Sequence, residues 1–356
     1  MDQHRKRVKD MDSEEVFIID DGGKVGRFVS GKLAKDEPKT PGINGSRQEN
    51  WLLKVSLKIL NECHLGDMLA VFAMVGLVLS AYLLWARPFQ LHWGATDEEV
   101  SRPMPGDELD STPAFLATRA ITINAAPKDI WPWLVQMGYG RAGFYGYDLL
   151  ENAGSLRGIR SANQILPEFQ HFKVGDPLPI SSVAGMVFYA IKPDQYLVWT
   201  GTTGVGGFTW ALYPIDANHT RLVSRIRWTH HWAQADLLAL DLFSDFADHL
   251  AVRKILQGIK NQVEGTSEPV IQQNIEFVTY VAAFLIFIVG IVLTLFCALT
   301  PKRWLAGVAA GAAWLITWYA PIPIWGGILL ELLVLWYLSK TFRPFAKEKN
   351  RDRILN

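Results

Sequence analysis

The chain has 356 residues, 49% of them hydrophobic, and its 35 basic and 35 acidic residues leave no net charge. With no basic excess and no Lys/Arg stripe with interleaved aromatic residues, a nucleic-acid-binding protein is not expected. The two cysteines, Cys63 and Cys297, form no CxxC pair, which argues against a disulfide framework and a zinc site.

The N-terminal part of the chain is polar. Residues 1–50 are rich in charge, Gly and Ser and contain one short apolar run, Val16–Ile19. This composition predicts a mostly disordered tail. Residues 51–67 carry apolar side chains at helical spacing after Trp51. The pattern is typical either of an interfacial helix or of a plain helical lead-in.

Four apolar segments predict transmembrane helices, at residues 68–86, 277–299, 304–320 and 322–338. A membrane-spanning helix needs about 20 apolar residues. The first two segments have that length, whereas the last two are short enough that a re-entrant hairpin is the alternative.

Orientation follows from the basic residues, which concentrate in the loop at 300–303 and in the basic tail 339–356. Basic loops stay on the cytoplasmic side. The sequence therefore predicts a multi-pass protein of the cell membrane with both termini cytoplasmic and residues 87–276 extracytoplasmic.

Residues 87–276 show an α+β order of elements. Alternation predicts a strand at 117–125, and Pro127 can open a helix, which a second short helix at 146–154 follows. Strand-like runs and one long helical pattern come next, at 186–192, 196–200, 208–213, 221–228 and 236–264. This order predicts an antiparallel sheet with its helices on one face, and a cavity between the sheet and the long helix.

Several segments of this region resemble a known group. They are WGAT at 93–96, TRAITINAAP at 118–127, WPWLVQMGYGRAGFYGYDLLEN at 131–152, ILPEFQ at 165–170, VGD at 174–176, TRLVSRIR at 220–227 and VRKILQGIK at 252–260. Together they resemble the membrane-associated branch of the SRPBCC superfamily, whose START-like, polyketide cyclase/dehydrase-like domains have the helix-grip fold. In that fold an antiparallel curved sheet wraps on a long C-terminal helix.

The resemblance covers roughly residues 90–265 and implies a cavity for lipids, sterols or other hydrophobic ligands. Some members catalyse cyclisation or dehydration, and a fold alone does not choose among such functions. One segment departs from the pattern: RGGFYSYDWLEN reads RAGFYGYDLLEN here, with Ala142, Gly146 and Leu149. A role that needs a hydroxyl at 146 or an indole at 149 is therefore not expected.

Seven polar residues within 136–152 are the predicted ligand-binding set: Gln136, Arg141, Tyr145, Tyr147, Asp148, Glu151 and Asn152. Asp148 and Glu151 are three apart and would be neighbours on a helix. Arg141 could pair with either carboxylate or with an anionic ligand. The set would form the polar end of an apolar cavity, or else an ion-paired corner that fixes two helices against the sheet.

Two interpretations are open for each of the other groups of polar residues. Arg221, Arg225 and Arg227 alternate on one strand face, either in solvent or against lipid headgroups, with Trp228 on the inward face. Asp245 and His249 are one helical turn apart near His230 and His231, yet no metal signature is complete, and neither a metal nor a cofactor is predicted.

Within the apolar segments, Glu331 is either a functional acid or a protonated group that bonds a neighbouring helix. Gly307 and Gly311 predict a close-packing face for a helix–helix partner.

The leading functional hypothesis is a membrane-anchored START-like domain that binds a hydrophobic ligand such as a lipid. The alternatives are a cyclase, dehydratase or hydrolase that uses Asp148 or Glu151 with Arg141, and a structural or regulatory membrane protein with a filled core.

Overall fold

The computed structural model describes residues 7–9, 16–19, 25–29, 32–33, 73, 76–77, 80–152, 155, 158, 160–202, 204, 206–229, 238–266, 268–296 and 301–354. Residues 1–65 and 66–356 form two compact units. The predicted helical lead-in at 51–67 lies outside the described residues, as do residues 68–72, 74–75 and 78–79 of the predicted apolar helix at 68–86.

Four short strands lie within the segment for which the sequence predicts disorder. They are β1 (Arg7–Lys9), β2 (Val16–Ile19), β3 (Val25–Val29) and β4 (Lys32–Leu33), and each pairs antiparallel with the next. The apolar run at 16–19 is the second of them and pairs on both edges.

The second unit is built on a six-stranded sheet in which neighbouring strands are antiparallel. Its strands are β5 (Phe115–Ile123), β6 (Pro177–Pro179), β7 (Gly185–Lys192), β8 (Tyr196–Gly201), β9 (Gly207–Pro214) and β10 (Thr220–Trp228), in the order β5-β10-β9-β8-β7-β6. The five strands predicted at 117–125, 186–192, 196–200, 208–213 and 221–228 are confirmed, while the short edge strand β6 was not predicted because its three residues include two prolines.

The helices before and between the strands are short. They are α1 (Arg87–Leu91), which continues a π-helical turn at Tyr82–Ala86, α2 (Asp97–Ser101), α3 (Pro127–Val135) and α4 (Asp148–Glu151). A capping box between Thr96 and Glu99 begins α2. Four longer helices follow: α5 (Leu238–Val263), α6 (Val270–Phe296), α7 (Pro301–Tyr319) and α8 (Ile324–Ile354).

The main core lies between the sheet, α3 and α5. Trp199 and Trp210 on the sheet, Leu134 on α3 and Leu256 on α5 are all at most 2% exposed. A curved antiparallel sheet packed on a long C-terminal helix is the helix-grip arrangement that the sequence predicts. The opposite face of α5 packs Phe246 against Trp314 of α7, so α5 is covered on both sides.

The arginine face of β10 differs from its predicted exposure to solvent. Arg221 donates to both carboxylate oxygens of Glu99, at 2.8 and 2.7 Å. Arg225, 3% exposed, donates to Asp107 at 2.9 Å, and Arg227 donates to the same carboxylate at 2.8 Å. The segment 97–110 therefore covers this face through contacts more than 100 positions apart, which strand alternation cannot show.

Two helical stretches are long and apolar enough to cross a membrane, Val270–Thr294 and Ile324–Phe342, and Leu305–Tyr319 is a shorter apolar helix. They correspond to the predicted segments 277–299, 322–338 and 304–320. The face with Gly307 and Gly311 lies against α6 of the same chain: a Cβ at Gly307 would lie 2.6 Å from Thr294 Oγ1, and one at Gly311 would lie 3.4 Å from Phe287. Thr317 on α7 donates to Glu331 on α8 at 3.1 Å, so this acid does bond a neighbouring helix.

Candidate functional site

A cavity of ≈ 430 Å³ lies between the sheet and α5. Its walls come from four strands, from α5 and from the segment 144–151, and the side chains that shape it include Phe144, Leu150, Met186, Trp199, Phe208, Trp210, Ile226, Trp228, Val252 and Ile255. All of these side chains are apolar. A pocket of this volume with apolar walls and few polar groups is the usual form of a small-molecule site.

The aromatic wall of the cavity is rigid because its rings pack on one another. Phe208 stacks on Trp210 with ring centroids 4.9 Å apart, and Trp199 lies 5.7 Å from both of these rings. Aromatic contacts of this geometry stabilise beyond their buried area. The sheet side of the cavity is therefore preformed.

The ionisable groups on the described part of the lining are Tyr147, Glu151 and Asp248. Glu151 accepts hydrogen bonds from the backbone amides of Phe144, at 3.2 Å, and Gly146, at 3.3 Å. A Cβ at Gly146 would lie 3.2 Å from Glu151 Oε1 and from Ile255, so the small residue leaves room for the carboxyl.

Burial, and after it the charge of Asp148, raises the pKa of Glu151 to about 7, although the hydrogen bonds from the two backbone amides lower it. A carboxyl that changes charge near neutral pH inside an apolar cavity is a candidate for ligand binding or proton transfer.

Asp248 contributes the second carboxylate of the lining and is already paired. Arg119 on β5 donates to it at 2.7 Å, and the guanidinium also donates to Gln90 O at 2.7 Å. Arg119 is 1% exposed. This pair joins the first strand of the sheet to α5 beside the cavity.

The segment that carries Glu151 is held by Gln136 and Tyr145. Gln136 donates to the Tyr145 hydroxyl at 2.8 Å and accepts from the Leu166 amide at 2.8 Å. Tyr145 has φ of 60°, in the left-handed region that is costly for a side chain. Gly258 on α5 permits this turn, because a Cβ there would lie 1.8 Å from Tyr145 O. Gln136 and Tyr145 therefore hold the segment that carries Glu151 from the side opposite the cavity.

Arg141 does not form the predicted pair with a carboxylate. It donates to the backbone carbonyls of Met137, at 3.1 Å, and Val135, at 2.9 Å, and its guanidinium lies 4.6 Å above the Phe169 ring. Burial lowers the pKa of Arg141, with Tyr145 and Asp176 opposing the shift. Its donors are thus used to close the loop after α3.

Asp148 and Asn152 face away from the apolar cavity. Asp148 accepts from the amide and hydroxyl of Ser161, at 3.0 and 2.8 Å, and Asn152 donates to Asp148 O at 2.8 Å. Asp148 and Tyr145 line a second, more polar cavity of ≈ 370 Å³ that also borders Lys254. Of the seven predicted residues, the structure brings only Tyr147 and Glu151 to the apolar cavity.

Asp245 and His249 contact different partners: Asp245 lies 3.5 Å from Arg87 Nε, and His249 Nδ1 lies 3.2 Å from Gln90 O. Burial lowers the pKa of His249 to about 3, with the charges of Arg119 and Arg253 adding to the effect. Within the described residues, no group of three His, Cys, Asp or Glu side chains is placed to hold a metal ion. His230 and His231 lie outside the described residues.

Comparisons with known proteins add little to this picture. No protein-family model and no curated protein matches the sequence. Among solved structures, a protein from Mesorhizobium loti is 14% identical and covers 43% of this chain and 100% of its own, with a TM-score of 0.26. The Polyketide_cyc-like protein from Corynebacterium glutamicum is 13% identical and covers 43% of this chain and 89% of its own, with a TM-score of 0.23.

The Aha1 dimer from Colwellia psychrerythraea is 12% identical and covers 43% of this chain and 99% of its own, with a TM-score of 0.23. At such TM-scores these likenesses decide nothing about function, and the fold rests on the strand order and on the packing of α5.

Several cavity residues were not predicted from the sequence, foremost Asp248, Trp199 and Trp210. The two tryptophans lie on predicted strands at inward positions, so the alternation of the strands could have pointed to them. No local sequence pattern points to Asp248 as a cavity residue, because its partner Arg119 is 129 positions away in the chain.

Proposed function

We propose that residues 87–276 bind a hydrophobic ligand of the lipid class in the cavity between the sheet and α5, and that the apolar helices anchor this domain in a membrane. The observation that supports binding most directly is the preformed apolar cavity of ≈ 430 Å³ with one carboxyl, Glu151, that lacks a described basic partner. A filled core, as expected of a purely structural protein, would leave no such space.

Binding is better supported than catalysis. A general acid–base reaction was predicted to use Asp148 or Glu151 with Arg141, and these groups do not assemble. Arg141 donates to backbone carbonyls, and Asp148 is engaged by Ser161. Glu151 remains as the carboxyl of the described lining that no described side chain pairs with, which suits recognition of a polar head group.

Filling the cavity tests this proposal. Ala251 lines the cavity from α5, and an Ala251→Trp side chain would occupy the ligand volume. We expect the variant, as full chain held in amphipol, to bind the fluorescent apolar probe N-phenyl-1-naphthylamine at least ~10-fold more weakly than the wild type, about 1.4 kcal/mol. The measurement is a fluorescence titration with the probe.

The matched control is Gln257→Trp, which adds the same side chain to α5 at a position outside the cavity lining. This control should bind the probe like the wild type. Equal probe binding by all three proteins, with unchanged circular dichroism, would show that the probe does not occupy the cavity and would count against the proposed function.

Membrane anchoring is supported by the outward apolar side chains of α6 and α8. Only 33% of the apolar stretch in α6 and 22% of that in α8 are buried, and Leu285 and Leu332 are 55% and 57% exposed. The core helix of a soluble protein would be mostly buried. Such faces are stable in hydrocarbon, where the backbone of a helix satisfies its own hydrogen bonds.

Sidedness can be tested at Val183, which is 94% exposed. We expect Val183→Cys, in a chain with Cys63 and Cys297 replaced by Ser, to react with a membrane-impermeant maleimide in intact cells, since the domain is proposed to lie outside. Labelling only after permeabilisation would reverse the orientation, and release of the chain by alkaline carbonate would refute anchoring.

A further inference from the structure

The charged side chains on the described lining of the apolar cavity are all acidic. Glu151 and Asp248 are the two carboxylates of its lining, and the described lining residues include no Lys, Arg or His. Proteins that hold anionic head groups supply basic side chains or several converging N–H donors at the head. This cavity offers acceptors in place of donors.

Of the two carboxylates, Glu151 is the one left for a ligand. Asp248 receives a hydrogen bond from Arg119 at 2.7 Å and is neutralised by it. The described donors to Glu151 are two backbone amides at 3.2 and 3.3 Å, at or beyond the long end of the usual range. A carboxylate offers about four acceptor sites, so at least two remain.

The apolar surroundings of the Glu151 carboxyl make it discriminate between ligand head groups. Phe144, Leu150 and Ile255 border the same cavity, and Gly146 leaves the carboxyl oxygen uncovered on that side. In a low-dielectric wall an opposite charge or a hydrogen-bond donor is attracted more strongly than in water, and a like charge is repelled more strongly. A carboxylate or phosphate head would meet Glu151 with no described cation beside it.

We propose that the ligand of this cavity is an amphipathic molecule whose head donates a hydrogen bond to Glu151, that is, an alcohol or an amine, and that carboxylate and phosphate heads are rejected. The inference rests on the proposed ligand-binding function and adds its chemical class. It makes Glu151 the residue that determines specificity.

The test compares three heads on one twelve-carbon chain: 1-dodecanol, dodecylamine and dodecanoate. Each displaces N-phenyl-1-naphthylamine from the full chain in amphipol at pH 8, where Glu151 is mostly ionised. We expect dodecylamine and 1-dodecanol to compete at least ~10-fold more strongly than dodecanoate. In Glu151→Gln this preference should shrink to within ~3-fold, while Glu168→Gln, an exposed position away from the cavity, keeps it.

A second measurement needs no variant. The charge of Asp148 on α4 acts on Glu151 directly, Tyr145 is a neutral titratable neighbour, and Asp248 lines the same cavity from α5. Lowering the pH from 8 to 6 protonates most of Glu151 while dodecanoate stays mostly ionised, so the discrimination against dodecanoate should weaken in the wild type. If Glu151→Gln fails to fold, this titration still decides the matter.

The outcomes separate the two claims. Uptake of the naphthylamine probe with equal competition by all three heads, or with dodecanoate the strongest, overturns the inferred ligand class and leaves the cavity function standing. No uptake of the probe by the folded wild type overturns both. A preference for amine and alcohol that Glu151→Gln removes supports the assignment.

Discussion

Arg119→Met should lower the free energy of unfolding of the chain by about 3–5 kcal/mol, because removal of one member of a buried ion pair leaves the other charge uncompensated. Arg119 is 1% exposed and holds both Asp248, at 2.7 Å, and Gln90 O, at 2.7 Å. Methionine has a similar length and no charge, so Asp248 would keep its charge at the cavity wall without a partner.

The measurement is urea unfolding of the full chain in detergent micelles, followed by tryptophan fluorescence. Arg119→Met/Asp248→Leu should recover at least half of the loss, since a paired charge can often be replaced by apolar residues at little cost. Arg160→Met, at an exposed arginine, should change stability by no more than about 0.5 kcal/mol. A loss that the double variant does not relieve would mean that packing, and not charge pairing, explains the effect.

Glu151→Gln should become more stable relative to the wild type as the pH rises from 5 to 8, by about 3 kcal/mol at most. Burial, with the charge of Asp148, raises the pKa of Glu151 from 4.5 to about 7 in the folded chain. The folded state therefore binds more protons than the unfolded state between these values. The stability that the protonated Glu151 carboxyl contributes is fully present below pH 4.5 and is lost as the pH rises through about 7.

The relevant quantity is the difference in unfolding free energy between Glu151→Gln and the wild type at each pH, because other titrating groups cancel in it. Glu168→Gln, at an exposed position, serves as the control and should show a flat difference. A flat difference for Glu151→Gln as well would show that Glu151 titrates near its ordinary value, and the carboxyl would then be solvated and not part of an apolar wall.

Much of the fold could be predicted from the sequence. Alternation of apolar and polar residues located β5, strand-like runs located β7 to β10, and the 3–4 spacing located α5, because these local patterns need no knowledge of partners. The face of β10 with Arg221, Arg225 and Arg227 was misjudged for the same reason: alternation shows that a face is polar and says nothing about the segment at 97–110 that covers it.

The candidate site was predicted only in part. The segment 136–152 was identified as rich in polar residues, and Glu151 and Tyr147 do line the cavity. Gln136, Arg141 and Tyr145 instead close the loop behind it, through the carbonyls of Val135 and Met137 and through each other. Residues that are close in sequence can lie on opposite sides of the segment that forms the cavity wall. At Tyr145 the backbone turns through a left-handed conformation, so the residues before and after it face different sides.

By itself, the sequence determined the order of strands and helices in the α+β domain and the apolar segments that follow it, since each depends on local periodicity or on composition. Only the tertiary structure decided that Arg119 neutralises Asp248 while Glu151 keeps just two backbone amides as described donors. The reason is physical: the charge state of a buried carboxyl depends on its spatial neighbours, and in this chain the decisive one for Asp248 lies 129 positions away.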